Sequence, residues 1–211
     1  RETRLQPGER WKIEDVDGLR FVWLRTPPYQ RNDWRRVRNM VAFMFRAWWI
    51  GRRLPKLVPD IGKPDVVIGS SVHLLAVLAA YWVAKRYRTK FVMEVRDLWP
   101  QTLVDMGQLS ERHPLTKVLQ VLERFLYRRA ERIIVLGPQM REYITARGVS
   151  RERIVWIPNG VDLTRFKSAA MPEMSHEGFQ VIYLGAHGQA NALDVLIQAA
   201  KIVQDRGYHE I

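Results

Sequence analysis

Four stretches of the 211-residue chain place polar side chains beside glycine or proline at spacings that suit a ligand site. The densest is Glu94-Val95-Arg96-Asp97-Leu98-Trp99-Pro100, where two carboxylates and a guanidinium end an apolar run. Such a group can be a mutually paired structural network, costly to bury unless satisfied, or a contact for a polar substrate and its leaving phosphate. Ser70, Ser71 and His73 close another apolar run and offer hydroxyl and imidazole groups. Asn159-Gly160, within Ile157-Pro158-Asn159-Gly160-Val161-Asp162, reads first as a tight turn. Gly185-Ala186-His187-Gly188-Gln189-Ala190-Asn191 precedes a helix-like stretch, where free backbone N–H groups and the helix dipole favour an anion.

Other chemistries are excluded by residues the chain lacks. It has no cysteine, which removes disulfides, thiolate nucleophiles and Cys-ligated metals. It has no phosphate loop, no dinucleotide fingerprint and no G-x-S-x-G elbow, and its five histidines show no metal-ligand spacing. Asp15-Val16-Asp17 forms a D-x-D pair, but beside Gly18 and ahead of a strand it reads as a turn. No metal and no cofactor are expected.

The elements that must position these groups follow from hydrophobic periodicity. Strands are predicted at 21–24, 65–69, 91–95, 132–136 and 154–157, and helices at 34–54, 73–87, 113–130 and 138–147, with Ser70 and Ser71 available as caps for the second helix. Pro55 is expected to stop the first helix. Fully apolar strands alternating with helices predict an α/β fold, a Rossmann-like parallel sheet with helices on both faces and its crevice at the carboxyl ends of the strands. Residues 168–178 read as a linker, and a further strand at 179–184 and helix at 192–206 read as the first β-α unit of a second domain.

Charge is concentrated in one region. Lys and Arg exceed Asp and Glu by 34 to 22, a formal net of +12. Between Trp34 and Pro59 lie seven basic residues and no acidic one, interleaved with Trp34, Phe43, Phe45, Trp48 and Trp49. A basic, aromatic helix can lie on an anionic membrane, contact nucleic acid, or simply cover a sheet with its arginines solvated. No recognised nucleic-acid motif accompanies it. The longest apolar run, Leu74 to Ala84, is 11 residues against the roughly 20 that span a bilayer.

The order E-V-R-D-L-W-P (94–100), R-I-I-V-L-G-P (132–138), I-P-N-G-V-D (157–162) and Y-L-G-A-H-G-Q-A-N-A-L-D (183–194) resembles the retaining GT-B glycosyltransferases of family 4 type. Within them it is similar to the bacterial branch that builds O-antigen, capsule and exopolysaccharide. The resemblance implies transfer of a sugar, with retention, from a nucleotide-sugar donor to a saccharide acceptor, and a lipid-linked acceptor is expected. It implies that Asp97, Arg96 and Glu94 are catalytic, with Arg96 standing where many relatives carry histidine. It places Gly185, His187, Gly188 and Asn191, with Asn159 and Gly160, on the donor side, and Ser70, Ser71 and His73 on the acceptor side. Arg35, Arg36, Trp48, Trp49, Arg52 and Arg53 would then hold the enzyme on an anionic membrane, on the cytoplasmic inner face where a polyprenyl-linked acceptor resides. No nucleic-acid partner is expected.

The domain expectation is an acceptor-side Rossmann-like domain at 1–167, incomplete at its start, a linker at 168–178 and the opening of a donor-side domain at 179–211. The resemblance further implies that the chain lacks the first β-α unit and the E-x7-E carboxylates of the family, so that the 211 residues alone are expected to be inactive in sugar transfer. Two other readings stand beside this one. A non-catalytic module could contact nucleic acid or a partner through residues 34–56, and steep salt dependence would reveal it. A nucleotide-sugar epimerase shares the GT-B fold, against which the 94–100 and 157–162 segments speak.

Overall fold

The structure, a computed structural model, describes residues 5–31, 33–166, 181–188 and 191–207. The chain divides into two compact units, Arg1–Asn159 and Gly160–Ile211.

The first unit opens with an antiparallel hairpin of β1 (Trp11–Val16) and β2 (Leu19–Leu24). Asp17 and Gly18 make its two-residue turn, both at positive φ (53° and 79°), the twist that a tight hairpin needs. Asp15 accepts the Gly18 N–H at 3.1 Å and pairs with Arg20 at 3.2 Å, so the D-x-D pair is spent on the turn, as its composition indicates. Sequence periodicity identified β2 but not β1, whose alternation is broken by Glu14 and Asp15.

Helix α1 (Trp34–Gly51) starts at Asp33, whose carboxylate accepts the Arg35 N–H at 2.9 Å. It ends three residues earlier than expected. A Cβ on Gly51 would sit 2.6 Å from Val83 Cγ2, so α1 comes within backbone reach of the next helix there. Tyr87 then donates to the freed Gly51 carbonyl at 3.0 Å. Pro55 does not stop α1. It occupies the first turn of a separate short helix, α2 (Leu54–Leu57), where its missing N–H costs nothing.

The main sheet is four parallel strands in chain order: β3 (Val66–Ser70), β4 (Lys90–Val95), β5 (Arg132–Val135) and β6 (Ile154–Trp156). The register aligns Ser70 with Glu94, and Val95 with Val135 and, through it, Trp156. Crossovers run through α3 (Leu74–Tyr87), α5 (Pro114–Arg129) and the short α6 (Met140–Thr145), with α4 (Gln101–Asp105) inside the segment after β4. The parallel α/β sheet predicted from apolar strands and alternating helices is observed, with one difference: among the described residues the crossover helices lie on one face, where both faces were expected to be covered. Strands that follow in chain order with right-handed crossovers carry their helices on one face. Phe91, Met93, Val95, Ile133 and Val135 are buried there with Leu74, Val77, Leu126 and Tyr127. Tyr81 joins the layers, edge-on to Phe91 at 5.6 Å and to Phe125 at 5.3 Å. On the opposite face, Val66, Ile68 and Val155 stay exposed.

In the second unit, α7 (Leu193–Asp205) forms where predicted. The predicted 179–184 strand lies partly outside the described residues, and its described part, 181–184, is not in a strand. The 168–178 linker also lies outside them.

Candidate functional site

Two loops meet at the carboxyl ends of β3 and β4. Ser71, fully buried, accepts the Arg96 N–H on its hydroxyl at 2.9 Å and donates its own N–H to the Glu94 carbonyl at 2.9 Å. Its hydroxyl is therefore a fastener between the loops. Ser70 Oγ is buried, with no hydrogen-bond partner among the described residues. Glu94 is half-buried, whereas Arg96 and Asp97 are exposed. Among the described residues none of these three side chains makes an ion pair or a side-chain hydrogen bond. The mutually paired network that the 94–97 residue types allow is not formed. A guanidinium and a carboxylate stand side by side in water, held only through their backbone. The Trp99–Pro100 peptide bond that follows is cis.

His73 caps α3 in place of the predicted serines. Its Nδ1 accepts the Ala76 N–H at 3.1 Å, and its ring stands edge-on to Phe43 at 5.8 Å. The serines are drawn into the β3–β4 junction and leave the first N–H groups of α3 to the imidazole. Burial, then the charge of Arg36, lowers its pKa to about 4. Near neutral pH the ring is uncharged, and with Nδ1 accepting, its proton lies on Nε2. That N–H is a donor suited to a hydroxyl of a ligand.

His73 borders a cleft of about 690 Å³ between α1, the start of α3, the 99–109 segment and α5. Its wall is mostly apolar and includes Trp99. Sequence reading missed this cleft, because its lining is drawn from four separate elements. One signal was available: Leu115, Val118, Leu119 and Leu122 form an apolar stripe along the first half of α5, ahead of the fully buried Leu126 and Tyr127.

The residues assigned to a membrane face are dispersed. Trp48 turns inward, edge-on to Trp82 of α3 at 6.0 Å, with Arg52 over it at 4.6 Å. Trp49 stays exposed under Arg53, at 4.1 Å, and Trp34 is exposed beside Arg35 and Arg38. Arg36 is half-buried and lines the cleft. The exposed aromatics of α1 are thus Trp34, Phe45 and Trp49. Among the described residues no helix is long and apolar enough to cross a membrane.

On the donor-side segments, Asn159 is exposed at the end of the first unit and Gly160 begins the second. Asp162 accepts both the N–H (3.0 Å) and the hydroxyl (2.6 Å) of Thr164, and these bonds hold its carboxyl below the usual range. Gly185, His187 and Gly188 are exposed. Asn191 closes the segment, bonding the Ala186 carbonyl through its side chain and the Gly188 carbonyl through its N–H. Tyr183 also donates to Ala186, at 3.1 Å. Helix α7 follows with no side-chain cap, leaving its first N–H groups open. No cluster of three or more metal-ligating side chains occurs among the described residues.

Residues 3–160 match the family described as Glycosyl transferase 4-like domain. A protein of Escherichia coli (strain K12), named provisionally as the colanic acid biosynthesis glycosyl transferase WcaI, is 22% identical over 218 residues. The alignment covers 95% of this chain and 52% of that protein, so the chain spans about half the length of this curated relative.

Proposed function

The chain belongs to the glycosyl transferase 4-like family, and on that premise we propose that it carries the acceptor-binding half of a retaining glycosyltransferase of cell-surface polysaccharide biosynthesis. In this reading a sugar passes from a nucleotide-sugar donor to a hydroxyl of a lipid-linked saccharide, at the cytoplasmic face of a membrane. A bond forms between the acceptor oxygen and the anomeric carbon, the bond from that carbon to the nucleotide diphosphate breaks, and the hydroxyl proton leaves with the diphosphate.

One observation carries the reading. Arg96 and Asp97 lie exposed, without side-chain partners among the described residues, at the carboxyl end of a central parallel strand, where ligands of such sheets bind. Asp97 accepts hydrogen bonds from acceptor hydroxyls and Arg96 attracts a phosphate. Glu94, half-buried behind them, adds a negative charge at the strand end. The neutral His73 donates from Nε2, and Ser70 Oγ offers a further polar group beside it. Ser71 fixes the two loops. On the second unit, Gly185, His187, Gly188 and Asn191 precede the open N-terminus of α7 and suit the donor diphosphate; Asn159 and Gly160 are assigned to the donor by the family resemblance. Positioning and charge stabilisation supply the rate.

The charge of α1 supports a membrane location. Arg35, Arg38 and Arg53 flank exposed Trp34 and Trp49, a combination that favours anionic lipid. A binding panel tests the whole reading. Fluorescent diphosphate-linked saccharides and nucleic-acid oligonucleotides are titrated with the protein at physiological salt. Binding of the saccharides alone supports it, and binding of nucleic acid alone, collapsing as salt rises, would replace it with the non-catalytic module.

A further inference from the structure

We propose that the cleft between α1 and α5 takes the hydrocarbon chain of the acceptor, an isoprenoid chain ending on phosphate; this rests on the acceptor reading above and extends it to the lipid. The cleft encloses about 690 Å³, and among its described lining residues side-chain polar groups come only from Asp33, Arg36, His73, Gln108 and the Trp99 indole N–H. Met40, Leu74, Trp99, Leu103 and Leu119 contribute to the wall. A saccharide placed in the interior would leave most of its hydroxyls without partners, a desolvation penalty that hydrocarbon does not incur.

Three further observations select a phosphate-bearing lipid chain. At the rim, Val37 (52% exposed), Leu115 (44%) and Val118 (62%) hold apolar side chains in water, so the apolar lining runs out onto the surface. Along α1 and α5 the charge of this rim is basic, while Asp105 and Glu111 are exposed near its Leu103 and Leu109 side. Arg36 lines the cleft, Arg35 and Arg38 are exposed on either side of Val37, and Lys117 is exposed beside Val118. Asp33, the one acid in the lining, is engaged in capping α1. Finally, the cleft shares His73 with the proposed head-group site, and Trp99 in its wall is two residues past Asp97 in the chain. A lipid with its sugar diphosphate at Arg96 and Asp97 can lay its chain along Trp99 between α1 and α5.

The test is affinity against chain length, using soluble sugar diphosphates esterified to methyl or to one, two or three isoprene units. The expected result is a rise in affinity with length, approaching fourfold for each methylene fully buried, and a plateau once the cleft is full. Val37→Asp and Val118→Asp, both at exposed positions and checked for an unchanged melting temperature, are expected to flatten the rise. Equal affinity of the methyl and three-unit esters would overturn the cleft proposal and leave the acceptor reading standing. Binding of none of the esters would remove the acceptor reading, and the cleft proposal with it. A rise that persists in both variants, or an equal gain from a single-chain phospholipid, would also overturn the proposal.

Discussion

Ser71 holds Arg96 by its backbone: the buried serine hydroxyl accepts the Arg96 N–H at 2.9 Å, while the Ser71 N–H bonds the Glu94 carbonyl at the same distance. Two strand ends are thereby fastened by one residue, and the exposed charges of the 96–97 pair are held without touching each other. Ser71→Ala leaves a partly buried N–H without an acceptor. It is expected to cost about 1–3 kcal/mol in denaturant unfolding and to weaken saccharide binding by loosening the loop. Unchanged stability would show that the bond does not form.

His73 makes stability depend on pH. Its folded pKa of about 4 lies below the ordinary 6.5, so the folded state binds its proton less readily than the unfolded chain. The contribution is complete above pH 6.5 and is lost as the pH falls to about 4. Protonation also removes the acceptor that caps α3. Urea midpoints should drop across this window in the wild type. In His73→Asn, which retains a capping oxygen and cannot titrate, the drop should be smaller.

A buried titratable group lies in the core between α5 and α6. Glu123 is fully buried, accepting from Tyr127 at 3.0 Å and from Arg147 Nε at 3.1 Å, with the Arg147 guanidinium stacked on Tyr143. Burial raises the carboxyl pKa and the Arg147 charge opposes it. Arg147→Met leaves the carboxylate uncompensated, at a cost of about 3–5 kcal/mol near neutral pH. For an acid with a raised pKa, stability is lost as pH rises through the raised value, so the deficit of the variant should narrow on acidification. Unfolding at pH 7 and pH 5 checks the sign.

The two neighbouring tryptophans of α1 should separate cleanly. Trp48→Ala removes packing against Trp82 and lowers stability by about 3 kcal/mol or less, since the side chain is only half-buried. Trp49→Ala should leave stability nearly unchanged and reduce sedimentation with anionic vesicles. Charge reversal of Arg35, Arg36, Arg52 and Arg53 to Glu should abolish that sedimentation, and binding that ignores lipid charge would remove the membrane role.

Much of this was legible in the sequence. The parallel sheet could be read because β3, β4 and β5 are short, nearly continuous apolar runs, and the carboxyl-end segments followed from the topology. The cap of α3 was assigned to Ser70 or Ser71 because hydroxyls are the commoner caps; the structure uses His73, since the Ser71 hydroxyl is spent on Arg96. The end of α1 was set by Val83 and Tyr87, which are more than thirty residues away and invisible to a local window. The same holds for the orientation of Trp48 and for the cleft, whose walls come from elements distant in sequence. The 94–97 residue types allowed a closed ion network or an open site, and only the absence of side-chain bonds among the described residues distinguishes them.

The central claim is that Arg96 and Asp97 form the open end of an acceptor site. Saturation-transfer NMR of a soluble sugar diphosphate with the wild-type protein, Arg96→Ala and Asp97→Asn tests it most directly. The prediction is transfer to the sugar protons in the wild type and a loss of affinity of about tenfold or more in each variant, with unfolding free energies within about 0.5 kcal/mol of wild type because neither side chain supports the fold. Undiminished transfer in both variants, or none in the wild type, would contradict it.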